Sequence, residues 1–491
     1  MPHVKRMLVV FALLLFVQSP LPLKPDPELK ISLDLLSAMV DSRAEARPLH
    51  VWVYFREKGL KSESGRVRAI METQQTLGAR CQWRRAKVRP ATNLADFEDV
   101  PLPAAYTDQV QSVVTSVRAV SRWLNAMSVE ATPEQVQALA GLDFVAGLDT
   151  VKSFQREKKI VALPARFRAV PASPSPIYGP AFDQLNQINV LPLHQQGLSG
   201  RGVLVCLLDG GFRKSHDAFR LSRLIAEWDF VMKDGDVERD LDDPADFSDS
   251  HGTATWSLLG GFKFGKMIGP AFGADFILGK TEDVRSETPI EEDYWVAGIE
   301  WAESLGAEVV SSSLGYMDWY TFADMDGKTA VTTKAANRAV SLGVVVVNAA
   351  GNERLNTWGH IIAPADGFDV IAAGAVDSSG KIAGFSSPGP SYDGRIKPEV
   401  CALGVNNWVA WSSADDITDY YGIGSGTSFS TPLIGGVAAL LLEAHRDWTP
   451  AQVRAALMNT AGNASTPDND FGWGIVNAAA AAAYTAKAPA K

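Results

Sequence analysis

Residues 203–208 read VLVCLL, six apolar side chains without a polar interruption, and the run ends on Asp209. A strand with one wet face alternates apolar and polar residues, so an unbroken run of this kind is a strand covered on both faces. Similar runs fall at 309–310, 343–347 and 370–375, and segments with helical apolar spacing separate them at 294–305 and 334–342. Doubly buried strands alternating with helices predict an α/β unit: a mostly parallel sheet with helices on both faces, from about residue 178 onward. Residues 428–445 read as a long apolar helix, central to that unit, and the alanine-rich stretch from Ala478 as a fraying end.

A chain of 491 residues is too long for one core. With 46% apolar and 21% charged residues it is not disordered, and a net charge of -10 argues against nucleic acid as partner. Upstream, 51–55 (VWVYF) reads as a strand, and Val110, Val113, Val114, Val117, Val120 and Leu124 recur at helical spacing. A second helix starts at Thr132, with Pro133 in its first position and Gln135 completing a capping box. Residues 144–151 read as a returning strand, which makes this half a small α+β unit. Between the halves, 156–177 is basic and then proline-rich, an extended linker open to proteolytic cutting.

At the N-terminus, Lys5 and Arg6 precede an apolar run over 7–17. This is the pattern of a secretory signal, over 1–25, and the run falls short of the roughly 20 residues that span a bilayer. The expected location is therefore extracytoplasmic, secreted or in the cell envelope, with no permanent membrane span. Three cysteines, Cys81, Cys206 and Cys401, make no disulfide framework, and Cys206 and Cys401 sit in apolar runs as buried thiols.

Four positions carry chemistry. Asp209 lies just beyond the carboxyl end of a strand, where open parallel sheets place functional groups, although it also fits a D-G turn. His251 opens HGTATWSLLGG, facing a cleft ahead of a helix that begins at about Thr253, or simply sitting on the surface. Ser428, in GTSFSTP, stands at a helix N-terminus, where free N–H groups favour developing negative charge; an N-cap is its plainer role. Pro432 is read in that helix's first turn, where a missing N–H costs little. Asn352, in AAGNE after a buried strand, offers an amide that can donate to an oxyanion or close an Asx-turn.

Taken together, LLDGGFRKSHDAF, HGTA and GTSFSTP, in that order and 42 and 177 residues apart at their key positions, resemble the subtilisin-like serine proteases. AAGNE is similar to the family's oxyanion block, AEVVSSSLG to its substrate-binding strand and FGWGIVNAAAA to its closing segment. The resemblance implies Asp209, His251 and Ser428 as catalytic triad, Asn352 in the oxyanion hole, and Ser313, Leu314 and Gly315 along the cleft. It implies a secreted serine endopeptidase acting on polypeptides without a cofactor for the chemistry. The segment NAMSVEATPEQVQAL resembles the family's propeptides, so 26–155 (core about 48–155) is expected to be a propeptide that binds the enzyme's own cleft. The linker 156–177 would hold the maturation site, 178–485 the catalytic domain and 486–491 a flexible tail.

Other folds fit less well. An α/β-hydrolase needs G-x-S-x-G and the order Ser, Asp, His; a chymotrypsin-like enzyme needs His before Asp. A silenced relative serving as a peptide-binding module is the alternative, and the four key residues argue against it. Three departures from the family pattern bear on the site. Gly210 stands where the family has Thr or Ser, which predicts a loosened aspartate; Phe429 replaces the commoner methionine; and Asn348 needs a partner of its own. Structural calcium is possible at Asp234, Asp236, Glu238, Asp240, Asp242, Asp243, Asp246 and Asp249, an acidic stretch that also reads as a solvated loop.

Overall fold

The structure, a computed structural model, describes residues 30–45, 48–151, 153–154, 175–239, 248–282, 290–412 and 420–485. The expected leader and tail, linker residues 156–174, and Asp240, Asp242, Asp243 and Asp246 lie outside the described residues.

The first unit runs α1 (Leu33–Glu45), β1 (Leu49–Phe55), α2 (Glu63–Thr76), α3 (Ala79–Arg85), α4 (Ala104–Val113), β2 (Ser116–Ser121), β3 (Ala126–Ala131), α5 (Pro133–Ala140) and β4 (Val145–Thr150). Its strands form a four-stranded sheet in the order β2-β3-β1-β4. Strand alternation sorts β1 between two faces. Val51, Val53 and Phe55 join Leu35, Val110, Val136 and Leu139 in the unit's own core, whereas Trp52 lies with Ala126 and Val151 on the other face. The capping box at Thr132 is formed, with the Gln135 N–H donating to Thr132 Oγ1 (3.3 Å) and the Thr132 N–H to Gln135 Oε1 (2.8 Å).

The helix expected through Leu124 is corrected. Helix α4 stops at Val113, Val114 turns extended, and Ser116–Ser121 pair with β3 as an edge strand. Valine-rich sequence satisfies either period, and the pairing edge of β3 decides.

The second unit opens, after the short β5 (Ser153–Phe154), with α6 (Phe182–Gln187), α7 (Leu191–Gln195), β6 (Leu204–Asp209), β7 (Arg223–Asp229) and α8 (Ser248–Gly260). A small hairpin, β8 (Phe262–Lys263) with β9 (Met267–Ile268), leads to β10 (Asp275–Lys280). Then come β11 (Ile290–Glu291), α9 (Glu292–Leu305), β12 (Val309–Ser312), α10 (Val331–Ser341), β13 (Val345–Ala349), β14 (Ile371–Val376) and β15 (Val400–Leu403). The hairpin β16 (Asn407–Trp411) with β17 (Tyr420–Gly424) precedes α11 (Thr427–Ala444), α12 (Pro450–Asn459) and α13 (Ala478–Ala482). Seven strands form one sheet, β15-β14-β13-β12-β6-β10-β7, with every neighbouring pair parallel.

Alternate residues of β6 face two cores. Val205 and Leu207 pack with α8 and α11, while Leu204, Cys206 and Leu208 pack with α9 and α10. Helix α11 is the one helix among the described residues long and apolar enough to cross a membrane, and 83% of it is buried inside the protein. The alanine-rich end expected to fray is instead helix α13: Asn477 caps it, accepting from the Ala480 N–H at 3.1 Å, and Ala478 and Ala481 are buried. All three cysteines are free and buried, and burial pushes the Cys206 and Cys401 thiols up.

Candidate active site

Strands β6, β12 and β13 end side by side, and their carboxyl ends carry Asp209, Ser313 and Asn352. Asp209 is the last residue of β6 and is buried. Its Oδ1 accepts from the Gly210 N–H (2.8 Å) and faces His251 Nδ1 at 2.7 Å; its Oδ2 accepts from the Thr255 hydroxyl at 3.0 Å. The loosening expected from Gly210 is therefore absent, because a helix supplies the hydroxyl that the neighbouring position lacks. Helix α8 begins at Ser248, earlier than the sequence suggests, so His251 lies inside its first turn. That placement puts Thr255 four residues on, on the same helix face, where both side chains reach one carboxylate. Gly252 is required beside His251, since a Cβ there would stand 2.0 Å from the Gly211 carbonyl oxygen.

Ser428 is the second residue of α11. Its Oγ donates to the Ser313 carbonyl at 3.2 Å, and Ser313 Oγ donates to the Ser428 carbonyl at 2.8 Å. The second bond has a cause in the sequence. Pro432 lies inside the helix rather than in its first turn. Its missing N–H is the one that would have bonded the carbonyl four residues back, at Ser428. Ser313 satisfies that carbonyl and so ties the start of α11 to the end of β12. The Phe429 ring packs 5.9 Å from the His251 ring, and Gly424 leaves it room.

Asn352 is fixed through its oxygen. Oδ1 accepts from the Thr427 N–H (2.9 Å) and from Thr427 Oγ1 (3.1 Å), which leaves the Nδ2 donor facing Gly426. Gly426 has φ +153°, and a Cβ on it would lie 3.6 Å from Asn352 Nδ2 and 3.7 Å from the Ser428 nitrogen. Glycine here keeps open the space between two donors. Asn348 has its partner: Nδ2 donates to the Leu314 carbonyl at 2.9 Å. Leu314 itself turns into the core packed on α9, while Ser313 and Gly315 line the ends of the strands.

Of the acidic stretch, Asp236 pairs with Lys214 (3.2 Å), Glu238 accepts from the Lys214 N–H (2.7 Å), and Asp249 is buried near Arg239. No group of three His, Cys, Asp or Glu side chains suited to a metal ion occurs among the described residues. Sequence reasoning misses Thr255 and Thr427. Helical spacing from His251 points to the first once the helix start is known; nothing local marks the second.

The chain matches the model of the subtilase family over residues 200–474 and that of the peptidase S8 propeptide domain, Bacteroidota, over 50–162. It is 34% identical to subtilisin E of Bacillus subtilis (strain 168) over 307 residues, 61% of this chain and 70% of that protein. It is 29% identical to M-protease of Shouchella clausii (strain KSM-K16) over 357 residues, 72% of this chain and 78% of that protein. Fervidolysin from Fervidobacterium pennivorans superimposes with a TM-score of 0.61 at 21% identity, over 90% of this chain; this chain spans 61% of that one. A protease from Pseudoalteromonas arctica superimposes with a TM-score of 0.51 at 26% identity, covering 63% of this chain and 99% of that one. With more than half its length matched by the family's own model, preceded by the family's propeptide, the chain belongs to the subtilase family and is a serine endopeptidase.

Proposed function

We propose that this enzyme cuts polypeptides through an Asp209–His251–Ser428 triad with Asn352 in the oxyanion hole, and that it is made as a secreted, inhibited precursor. The observation carrying this reading is the buried Asp209 carboxylate, held by three donors with His251 Nδ1 at 2.7 Å, at the strand ends where Ser428 and Asn352 also stand. Ser428 Oγ attacks the peptide carbonyl while His251 Nε2 takes its proton, then returns it to the leaving amine. Asp209 fixes the histidine tautomer and stabilises the imidazolium. Asn352 Nδ2 and the Ser428 N–H, at a helix start where backbone donors have no helical acceptor, stabilise the oxyanion. In the resting enzyme Ser428 Oγ rests on the Ser313 carbonyl, so a rotation about its side chain precedes attack. The substrate lies along Ser313–Gly315 as an added strand. These steps use only the chain's own groups.

The precursor reading assigns 1–25 to a removed leader, 26–155 to the prosegment and 178–485 to the catalytic domain, with maturation between Phe154 and Tyr178. A serine-directed fluorophosphonate tests the active-site assignment. Rapid, stoichiometric labelling of Ser428 is expected, with none in Ser428→Ala. Labelling elsewhere, or a tenth of the wild-type rate surviving in Ser428→Ala, overturns it.

A further inference from the structure

Between β1 and α4 the prosegment carries an insert, residues 57–103, whose packing is unlike the rest of the chain. Its helix α2 buries no residue, and its helix α3 buries two arginines. Arg84 and Arg85 are completely buried, and six of their ten hydrogen bonds go to the catalytic domain. Arg84 donates to the carbonyls of Leu342 (3.1 Å), Glu303 (3.0 Å) and Ala307 (2.8 Å) and to the Glu303 carboxylate. Arg85 donates to both oxygens of that carboxylate, at 2.8 Å each, and to Asp99 of the insert. Burial alone would raise Glu303, but Arg84 and Arg85 outweigh it and hold the carboxyl down to about 2.

The charges interlock in the opposite sense as well. Arg338 of α10 reaches back to Asp96 (2.6 Å) and Asp99 (3.1 Å) of the insert. Paired complementary charges of this kind fix register and reject wrong partners. At the rim, Lys87 meets Glu308 at 3.6 Å, and Arg446 lies over the Trp83 ring at 4.6 Å. The insert is not loose on its own side either. Lys58 Nζ donates to the carbonyls of Phe97, Glu98, Val100 and Arg122, joining the insert to the prosegment sheet.

The place of this contact matters. Glu303, Ala307 and Leu342 lie where α9 and α10 end and β12 and β13 begin. The candidate active site is at the other ends of the same strands, roughly 15 Å away along a strand of this length. The contact therefore owes nothing to the cleft.

We propose that the acidic base of the catalytic domain, built from Glu303, Glu308 and the adjoining loop carbonyls, is a docking surface for the arginine-bearing helix α3, and that it holds the prosegment on the enzyme after the linker is cut. This rests on the reading that residues before the linker are severed from the catalytic domain. Linker cleavage removes the covalent tether and its effective concentration. The prosegment sheet has its own contact with α9, where Arg118 pairs with Asp293 at 2.9 Å and the Ser121 hydroxyl meets Glu300. The arginine helix adds a separate grip at the base of the sheet, so its loss should speed release after the cut.

The test uses the full chain as Ser428→Ala, with a foreign protease's recognition sequence placed within 156–174. Cutting is then independent of the enzyme's own chemistry, and dissociation rather than activity is read, so failure of the active-site assignment leaves the result intact. After cutting and dilution, the wild-type prosegment should co-elute with the catalytic domain, and the Arg84→Met, Arg85→Met double variant should dissociate at least 100-fold faster. Equal rates overturn the proposal, as does immediate loss from the wild-type insert. Should the double variant fail to fold, Arg338→Met decides, since it removes the reciprocal pairs with Asp96 and Asp99 from the side of the catalytic domain. Its cut prosegment should also dissociate faster than the wild type's, and release at the wild-type rate overturns the proposal.

Discussion

Thr255 donates its hydroxyl to Oδ2 of Asp209 at 3.0 Å, while Oδ1 of the same carboxylate faces His251 at 2.7 Å. One helix thus holds both the candidate base and a second grip on the acid that orients it. In the proposed mechanism Thr255 is a positioning residue: it is buried and acts through Asp209. Thr255→Val keeps the shape and removes the donor. A hydrogen bond to a charged group contributes about 1.5–3 kcal/mol, so kcat should fall roughly tenfold to a hundredfold with KM little changed. Thr255→Ser should restore most of the rate. Equal kcat in Val and Ser variants would show that the methyl packing matters and the hydroxyl does not.

The Asn352 amide is held through its oxygen by Thr427, which presets the direction of its donor. In the proposed oxyanion role the donor acts on charge that appears only in the transition state, so Asn352→Ala should lower kcat by about 10²–10³. Steady-state kinetics on one peptide substrate would separate this from ground-state binding, for which the change would fall on KM alone.

Ile362 lies between Gly315, in the proposed substrate strand, and Gly351, next to Asn352. Its N–H donates to the Ala350 carbonyl at 3.2 Å, and its side chain is buried. A Cβ on Gly315 would meet Ile362 Cδ1 at 2.2 Å, and one on Gly351 would meet the same atom at 3.1 Å. Two glycines facing each other next to Ser428 and Asn352 would leave a slot, and the isoleucine fills it. The enzyme should therefore prefer a small residue at the position supplying the scissile carbonyl. Each methylene in such a pocket is worth about 1–3 kcal/mol, so Ile362→Gly should raise the Phe-over-Ala ratio of kcat/KM at least roughly tenfold. Paired chromogenic peptides differing only at that residue measure it. An unchanged ratio would place the side-chain pocket elsewhere.

The parts legible in the sequence are those whose signal is local. VLVCLL ending on Asp209 announces a doubly buried strand, and Thr132, Pro133 and Gln135 announce a cap, because neighbours in the chain decide both. The misread parts depend on distant partners. Val117 and Val120 fit a helix until β3 offers an edge to pair with. Pro432 looks harmless until the carbonyl it strands, at Ser428, is seen on Ser313. The insert over 57–103 is the hardest case. Its largest buried side chains are Arg84 and Arg85, and its buried apolar residues, Cys81, Leu94, Ala95 and Val100, do not recur at helical spacing, so a reading that searches for such a stripe finds none, and only Glu303, more than two hundred residues later, explains the two arginines.

Glu300 gives the prosegment contact a pH dependence with a definite sign. It lies on α9, buried against the prosegment, and accepts from the Arg122 N–H at 3.2 Å, the Trp123 N–H at 3.4 Å and the Ser121 hydroxyl. Arg122 also faces it at 3.7 Å, Arg118 and Lys233 line the adjoining cavity, and Lys58 and Glu303 lie nearby. Burial pushes Glu300 up to about 7 despite Arg122 and the Ser121 hydroxyl. Once the prosegment leaves, water reaches the carboxyl, which should return toward its ordinary 4.5. Its raised value makes binding take up a proton: the contribution is complete below 4.5 and is lost as pH rises through 7. Glu303, held down to about 2, acts oppositely, contributing fully above 4.5 and failing as pH falls toward 2. Lys87, lowered to about 8 by burial despite Glu308, begins to strengthen binding only above that pH. Between pH 5 and 7, then, Glu300 sets the slope. The cut prosegment of the Ser428→Ala protein should dissociate faster with rising pH, by at most about tenfold per unit. Glu300→Gln, which cannot ionise, should flatten the profile. The same slope in both proteins would assign the dependence to another group, and a flat wild-type profile would show that Glu300 is not neutral in the complex.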